Sequence, residues 1–460
     1  MSVNDAWKRS FMRDKVGLQG KLSQIFCSVG FIVIVAFLAR MAVLYYYFHF
    51  FVQLVARDNL PFGTLAGGYE AGAVAASIAQ GRGFSSPLKV LRTGPTAWFT
   101  PIYPYLLAGI FKVFGVYSYT SNIVICFVDN VFSAFTCWPI YAIGSKAFGK
   151  RIGAAAAWIW VLFPMSLFFS TVWVWDTALS ALLLALIVAA TLQLRGSERL
   201  SSWIGYGALW AAGAMVNPTV ISILPPLALW AWWPLRRRLA TTGRLVLACS
   251  LIFAAGIAPW TVRNYVVFHT FLPFRSTFGL ELWLGNNPLV PELWSRNLHP
   301  NDDALEAAKY ARMTEIPYMQ EKQHEALFFI RTHPGDTMRF TFHRFLDHWI
   351  AMWVFPSDIW NRISLQTKLG ILGNCAFPLL SLAGLVLAYL QRNETAVPLA
   401  SVMLFFPLIF YITHTSLRYR HPMDPIMLVL AVYALAYPVT YLLKRFADLE
   451  ARIPATHTTE

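Results

Sequence analysis

Apolar residues fill ten long segments of this chain, and most charged residues lie in the stretches between them. A helix that crosses a bilayer needs about 20 apolar residues, so the pattern predicts an all-α integral membrane protein with about ten transmembrane helices. The longest run, 152–194, contains one charged residue, Asp176, which predicts two helices joined by a hairpin with Asp176 at its turn. The predicted helices are 25–46, 118–142, 153–174, 177–194, 203–216, 218–234, 245–261, 369–390, 396–414 and 423–442.

Clusters of lysine and arginine predict the orientation of these helices. Such clusters, of which Arg236 to Arg238 is one, stay on the cytoplasmic side of a membrane. An even number of helices must then separate neighbouring clusters, which assigns the apolar stretch 100–115 to the membrane interface and both termini to the cytoplasm. The basic N-terminus runs into a segment long enough to span, so we expect no cleaved signal peptide.

This topology leaves two long loops on the extracytoplasmic side, the first outer loop and the second outer loop. Loops of such length are usually functional, so the working face is predicted to point away from the cytoplasm. The second outer loop ends in an amphipathic tract, Arg339 to Trp360, that predicts interfacial helices on the membrane surface. The predicted divisions are a cytoplasmic segment 1–24, an N-terminal transmembrane core 25–261 that includes the first outer loop 47–117, the second outer loop 262–368, C-terminal transmembrane helices 369–445 and a cytoplasmic tail 446–460.

The amino-acid composition also indicates a chain that lies in a lipid bilayer. Hydrophobic residues make up 57% of the chain and charged residues 13%, and the mean hydropathy is +0.51, which excludes an ordinary soluble domain. The formal net charge is +14, but many of its lysines and arginines flank apolar runs, so we expect no nucleic-acid partner. The five cysteines fall inside apolar stretches without CxxC spacing, so we expect neither disulfides nor a metal site.

Acidic residues stand at two prominent places on the predicted outer face. Glu70 precedes an Ala-rich stretch bounded by glycines, so we expect it in the first turn of a short helix, and Asp176 occupies the hairpin turn. Further strings follow at the outer ends of predicted elements: Gly81-Arg82-Gly83-Phe84, Pro101-Ile102-Tyr103-Pro104, Pro259-Trp260-Thr261-Val262-Arg263-Asn264-Tyr265 and Arg418-Tyr419-Arg420-His421-Pro422.

In this order and spacing, the acids and strings resemble the GT-C superfamily of glycosyltransferases that use lipid-linked sugars. Within it, the chain is most similar to the bacterial relatives of protein O-mannosyltransferases and aminoarabinose transferases, over nearly its whole length. The resemblance implies a multi-pass enzyme of the bacterial inner (plasma) membrane. Such an enzyme transfers a hexose or pentose, with inversion, from a polyprenyl-phosphate donor to a lipid, glycan or protein acceptor on the extracytoplasmic face.

Glycosyl transfer to a hydroxyl needs a base beside the acceptor oxygen, and carboxylates at the outer hairpin tips can supply it. We expect Glu70 to be this base; a carboxylate that only stabilises the start of a helix is the alternative, and Asp58 is the fallback acid. The family often shows an aspartate slightly earlier, where this chain has Gly67 and Gly68. Asp176 is expected as a second catalytic acid or as the N-cap of the following helix, and both roles can hold together.

Arginines at outer helix ends are the expected contacts of the donor phosphate, because a guanidinium matches phosphate in a bidentate way. The candidates are Arg418, Arg420, Arg263, Lys89 and Arg92. For the arginines at helix ends the alternative is ordinary anchoring at the membrane interface, and for Lys89 and Arg92 it is an exposed basic pair in a loop.

The resemblance to the mannosyltransferase branch predicts no metal cofactor, and a divalent ion held by Glu70 and Asp176 stays an alternative. Two other functions compete with glycosyl transfer. A lipid-linked saccharide flippase or transporter needs charged residues along several helices, whereas Asp129 is the one acid deep in a predicted span. We expect Asp129 to contact another helix, and a place in the wall of the donor cavity is the alternative. A non-catalytic family member that binds the lipid-linked sugar is kept open by Gly67 and Gly68.

Overall fold

The computed structural model describes residues 28–51, 69–88, 91–290, 296–350 and 364–450. Within these ranges the chain is built of helices and contains no β-strand, which agrees with the predicted all-α class. A single bridge between Ser85 and Pro95 closes a turn of the first outer loop. Asp58, Lys89 and the end of the predicted surface tract at Trp360 lie outside the described residues.

The helices are numbered here in chain order. Those of the N-terminal half are α1 Val29–Tyr46, α2 Tyr69–Ala79, α3 Ile102–Phe114, α4 Tyr119–Phe135, α5 Cys137–Phe148, α6 Lys150–Val161, α7 Pro164–Thr171, α8 Thr177–Leu194, α9 Leu200–Val216, α10 Leu224–Trp232 and α11 Leu239–Phe268. Those of the C-terminal half are α12 Phe278–Gly285, α13 Ala304–Met313, α14 Glu315–Thr332, α15 Pro334–Ile350, α16 Leu365–Leu390, α17 Ala396–Phe405, α18 Leu408–Ile412, α19 Leu417–Arg420 and α20 Asp424–Glu450.

Several helices can cross a membrane. Within the described ranges, five helical stretches are long and apolar enough: Val29–Phe50, Tyr119–Phe148, Thr177–Leu194, Leu239–Phe268 and Thr367–Leu390. The pair α6 and α7, bent by 48°, makes a sixth if it is counted as one broken span. The chain is therefore a multi-pass membrane protein, and the number of ten spans stays a prediction.

The bend between α6 and α7 has a polar support. Pro164 begins α7 and has no backbone N–H, so the Trp160 carbonyl lacks the donor four residues on and accepts a long hydrogen bond from Phe163 N at 3.3 Å instead. Arg40, fully buried within α1, donates to the carbonyl oxygens of Trp160 at 3.2 Å and Val161 at 3.1 Å. Unpaired carbonyl groups are costly in hydrocarbon, so Arg40 stabilises the break. The apolar pattern of the first predicted span gave no indication of this role.

The C-terminal helices approach each other closely at a glycine. Gly384 of α16 lies so near the Leu430 carbonyl of α20 that a β-carbon at this position would overlap it. Small residues at such crossings allow the helix backbones to pack directly, which is a main source of association between membrane helices. This close pair forms one wall of the bundle, and α20 begins at Asp424 beside the short helix α19.

The two outer loops are joined by a buried carboxylate. Glu315, at the start of α14, accepts hydrogen bonds from Ala97 N and Ser276 Oγ, both at 2.6 Å, and from Tyr310 OH at 2.7 Å. The first two donate to Oε1, and the hydroxyl of Thr96 donates to Oε2 together with Tyr310. Because Thr96 and Ala97 belong to the first outer loop and the other partners to the second, Glu315 fixes one loop against the other.

The predicted amphipathic tract coincides with α15 over its described part. This helix exposes Met338, Phe342 and Phe345 on one side, while Arg344 on the other side is fully buried. The Arg344 guanidinium donates to the carbonyl oxygens of Gly285 at 2.6 Å and of Thr413 at 2.8 Å. The helix is thus fastened to the rest of the second outer loop and leaves an apolar surface outward.

Candidate active site

Five charged side chains from distant parts of the chain come together where the outer loops meet the helix ends. They are Glu70 on α2, Asp176 directly before α8, Arg275 in the connection to α12, Glu281 on α12 and Arg418 on α19. The Arg418 guanidinium interacts electrostatically with both Glu70 and Asp176, and Glu281 interacts with both arginines and with Glu70. We call these five residues the charged cluster; it combines three carboxyl groups with two guanidinium groups.

Asp176 lies at the turn between helices, as the single charge in its apolar run predicts. It precedes α8, but its side chain makes no capping hydrogen bond. The carboxylate instead accepts from Arg275 at 3.3 Å, and Arg275 also donates to the Val216 carbonyl at 3.1 Å. Burial raises the pKa of Asp176, against the lowering effect of Arg275 and Arg418. Asp176 thus occupies the N-cap position of α8, as considered from the sequence, but its carboxylate is directed at a cation and not at the first backbone N–H groups of the helix.

Two stacked aromatic rings lie next to Glu70 and Asp176, the two acids predicted from the sequence. The Arg418 guanidinium lies 3.8 Å from the ring centre of Trp175, and Trp175 stacks on Tyr69 at 5.1 Å. Tyr69 and Trp175 directly precede Glu70 and Asp176 in the chain. Tyr69 has a φ of +45°, a strained value for a residue with a β-carbon. The stack therefore holds both acids beside Arg418.

Glu70 is a buried carboxyl in the first turn of α2, the position that the sequence predicts. One oxygen, Oε1, accepts from Asn301 Nδ2 at 2.5 Å and lies 3.9 Å from His299 Nε2. The other oxygen, Oε2, is buried and has no hydrogen-bond partner among the described residues. An unpartnered buried acceptor next to Arg418 is an oxygen available to a substrate proton.

Glu281 is a site acid that the sequence reasoning missed. Its side chain is partly buried, and the loss of water around the carboxyl raises its pKa to about 7, against the lowering effect of Arg418 and Arg275. Its Oε2 atom lies 3.1 Å from His414 Nδ1. Burial, assisted by Arg418, lowers the pKa of His414 to about 3, so the imidazole is neutral. A lone acid inside the apolar string Phe278-Gly279-Leu280-Glu281-Leu282-Trp283-Leu284 was the available signal.

The other predicted phosphate contacts have different surroundings. Arg263 donates to the carbonyl oxygens of Thr96 at 2.7 Å and Phe84 at 3.0 Å, so it holds the turn of the first outer loop. Arg420 is almost fully buried, donates to the Trp349 carbonyl at 2.8 Å and lies 3.5 Å from Asp424. The structure brings neither of them into the charged cluster. Arg92 is exposed.

The predicted contact of Asp129 with another helix is present. Its carboxylate accepts a hydrogen bond from Tyr103 OH on α3 at 3.0 Å.

In the part of the chain that the structure describes, no group of three or more His, Cys, Asp or Glu side chains has a spacing that could hold a metal ion. The three acids of the charged cluster have arginine, amide or imidazole groups as their neighbours instead.

Comparisons with known proteins bear on the fold and on part of the chain. Residues 98–262 match the family model described as dolichyl-phosphate-mannose-protein mannosyltransferase. No curated protein sequence matches the chain. The solved structure of the archaeal oligosaccharyltransferase AglB from Archaeoglobus fulgidus, in complex with an inhibitory peptide and a dolichol-phosphate, is similar with a TM-score of 0.52 at 15% identity; the match covers 93% of this chain and 52% of that chain.

Two further structures of the Archaeoglobus fulgidus oligosaccharyltransferase give the same result. The apo form has a TM-score of 0.51 at 15% identity, with 93% of this chain and 52% of that chain covered. The form tethered to an acceptor peptide containing the NVT sequon has 0.51 at 14% identity, with 93% and 51% covered. This chain spans about half the length of those enzymes. A likeness at such identity shows the fold, and the fold predicted from the sequence is thereby confirmed.

Proposed function

We infer that this chain, a member of the GT-C superfamily, transfers a sugar from a polyprenyl-phosphate donor to an acceptor hydroxyl with inversion at the anomeric carbon. The observation behind this inference is the charged cluster. In it, Arg418 interacts electrostatically with both Glu70 and Asp176, and one oxygen of Glu70 has no hydrogen-bond partner among the described residues. A base and a phosphate-binding cation side by side are what this reaction needs. The match of residues 98–262 to a mannosyltransferase model supports the same chemistry.

Glu70 is the proposed base. Oε2 of Glu70 takes the proton of the acceptor hydroxyl. The oxygen of that hydroxyl then attacks the anomeric carbon of the donor from the face opposite the phosphate. The new glycosidic bond forms as the bond from the anomeric carbon to the phosphate oxygen breaks, and polyprenyl phosphate leaves with that electron pair. Glu70 then carries the proton, which it returns to water before the next turnover.

Arg418 and Arg275 are the proposed contacts of the donor phosphate. A guanidinium stabilises the charge that develops on the leaving oxygen, and it does so most strongly where water is excluded. Asp176 holds Arg275 in place through their 3.3 Å contact and so orients this second cation. Arg275 replaces Arg263 and Arg420 in the set that the sequence predicts, because those two side chains are bonded to backbone carbonyls elsewhere.

The predicted topology gives the proposed site its place in the membrane. We place it on the extracytoplasmic face of a bacterial inner membrane, with both termini cytoplasmic and the polyprenyl tail between the helices. The donor sugar is a hexose or pentose, and the acceptor is a lipid, glycan or protein. A buried site at the membrane edge suits a donor whose phosphate is at the surface and whose tail stays in the bilayer.

The test is transfer of labelled sugar from a panel of polyprenyl-phosphate donors by membranes with equal amounts of wild type, Glu70→Gln or Asp176→Asn. Glu325→Gln, on α14 and outside the charged cluster, is the matched control. Loss of the base is expected to lower the rate by about 10²–10⁴, and Asp176→Asn is expected to lower it through Arg275. Full activity of both variants would overturn the site. A wild type inactive with every donor would favour a flippase or a lipid-sugar-binding protein instead.

A further inference from the structure

Glu281 is connected to Arg418 by a chain of polar contacts through two neutral side chains. His414 Nδ1 lies 3.1 Å from Glu281 Oε2, and its Nε2 lies 2.9 Å from the hydroxyl of Tyr419. The same hydroxyl accepts a hydrogen bond from Arg418 at 2.7 Å. We call Glu281, His414 and Tyr419 the relay; its members come from α12, from the connection after α18 and from α19.

The relay has two arrangements of its protons. When Glu281 is ionised, His414 carries its proton on Nδ1, and Nε2 accepts the hydroxyl proton of Tyr419. When Glu281 is protonated, it donates to Nδ1, and His414 donates from Nε2 to the phenol oxygen. Tyr419 then accepts from both His414 and Arg418, so its own proton is released from the relay.

We propose that Glu281 is a positioning residue for the donor phosphate, and that its proton, acting through His414 and Tyr419, sets how well Arg418 and Tyr419 bind a phosphodiester. The proposal rests on the proposed function, because it takes Arg418 as the phosphate contact. With Glu281 protonated, the freed Tyr419 hydroxyl and the Arg418 guanidinium both present donors to the phosphate oxygens. With Glu281 ionised, the hydroxyl is turned to His414 and a third negative charge faces the incoming anion.

The surroundings of Glu281 support a switch near neutral pH. Its carboxyl has a pKa of about 7 through burial, so it loses its proton as the pH rises through that value. Lys322 lies over Trp283, which points away from Glu281 on α12, and so does not face the relay. The ionisable groups outside the relay that do face it are Glu70, Arg275, His299, Arg344 and Arg418.

The expected direction follows from the sign of this titration. Phosphodiester binding is strongest below the pKa of Glu281, where the carboxyl is neutral, and weakens above it. By reciprocity, bound phosphodiester raises the pKa of Glu281 further. A charge change of one unit within the partly buried cluster corresponds to about a fivefold to tenfold change in affinity.

The experiment measures binding of farnesyl methyl phosphate to the purified full-length chain in detergent between about pH 6 and about pH 8. This probe is a phosphodiester, so it keeps one charge throughout, unlike a phosphate monoester with its second pKa of about 6. We expect the wild type to lose affinity about fivefold to tenfold with rising pH. Glu281→Gln, a mimic of the neutral acid, should bind tightly without this pH step, and Glu325→Gln should behave like the wild type.

Tyr419→Phe separates the relay from simple charge repulsion. It leaves Glu281 in place and removes the hydroxyl, so the pH step should shrink to less than about half. A full step in Tyr419→Phe, a persisting step in Glu281→Gln, or no step in the wild type would each overturn the proposal. Because the readout is binding, these results stand apart from the transfer assay: the relay can fail in an active transferase and can hold in a chain without turnover.

Discussion

Replacing Glu315 by glutamine tests the joint between the two outer loops. The carboxylate accepts from Ala97 N and Ser276 Oγ on Oε1, and from Tyr310 OH and Thr96 Oγ1 on Oε2. A glutamine keeps an oxygen for the first pair and presents N–H groups to the second. Two hydrogen bonds to a charged group, each contributing about 1.5–3 kcal/mol, become weaker contacts, so we expect the joint to lose about 2–4 kcal/mol.

Backbone hydrogen exchange at the Ala97 amide measures this loss, because that N–H is bonded to Glu315 and exchanges when the joint opens. The expected loss corresponds to exchange about 30-fold to 1,000-fold faster. Glu325→Gln on the same helix should leave the rate unchanged. A double-mutant cycle with Tyr310→Phe should give a coupling of about 1–2 kcal/mol. Unchanged exchange at Ala97, or strictly additive variants, would refute the reasoning.

Two further predictions concern packing inside the bundle. Gly384→Ala should destabilise the protein by about 1–3 kcal/mol, because its β-carbon overlaps the Leu430 carbonyl, whereas Gly373→Ala in the same helix meets open space and should be neutral or stabilising in thermal unfolding. Tyr103→Phe should cost about 1–3 kcal/mol, because it leaves the buried Asp129 carboxyl without its donor; the same stability in Tyr103→Phe and in the exposed variant Tyr105→Phe would contradict this.

The features that could be predicted from the sequence are those written in local patterns. The single charge in the run 152–194 located the turn at Asp176, and the Ala-rich stretch after Glu70 located the helix α2 and its first turn. The apolar segments gave the all-α membrane class for the same reason. The type of an element and the turns between elements depend mainly on neighbours in the chain, so they can be found from the sequence.

The partners of the arginines could not be predicted, because they depend on contacts far apart in the chain. Arg275 contacts Asp176, which is 99 residues away in the sequence, and no local sequence pattern indicates that pair. Arg418 and Arg420 stand two residues apart on a helical turn, so their side chains point to nearly opposite sides. One therefore enters the charged cluster and the other a buried pair with Asp424. The sequence places both at a helix end but does not say which way each one turns.

The origin of the charged cluster has a consequence for how the protein is made. Glu70 and Asp176 belong to the part of the chain that a ribosome delivers first, while Arg418 arrives after α17 and α18. A partly synthesised chain in the membrane therefore carries the acids, and later Arg275, before it carries Arg418. On the proposed function, the phosphate-binding arrangement is complete only when α19 docks, so a nascent chain lacks a full donor site.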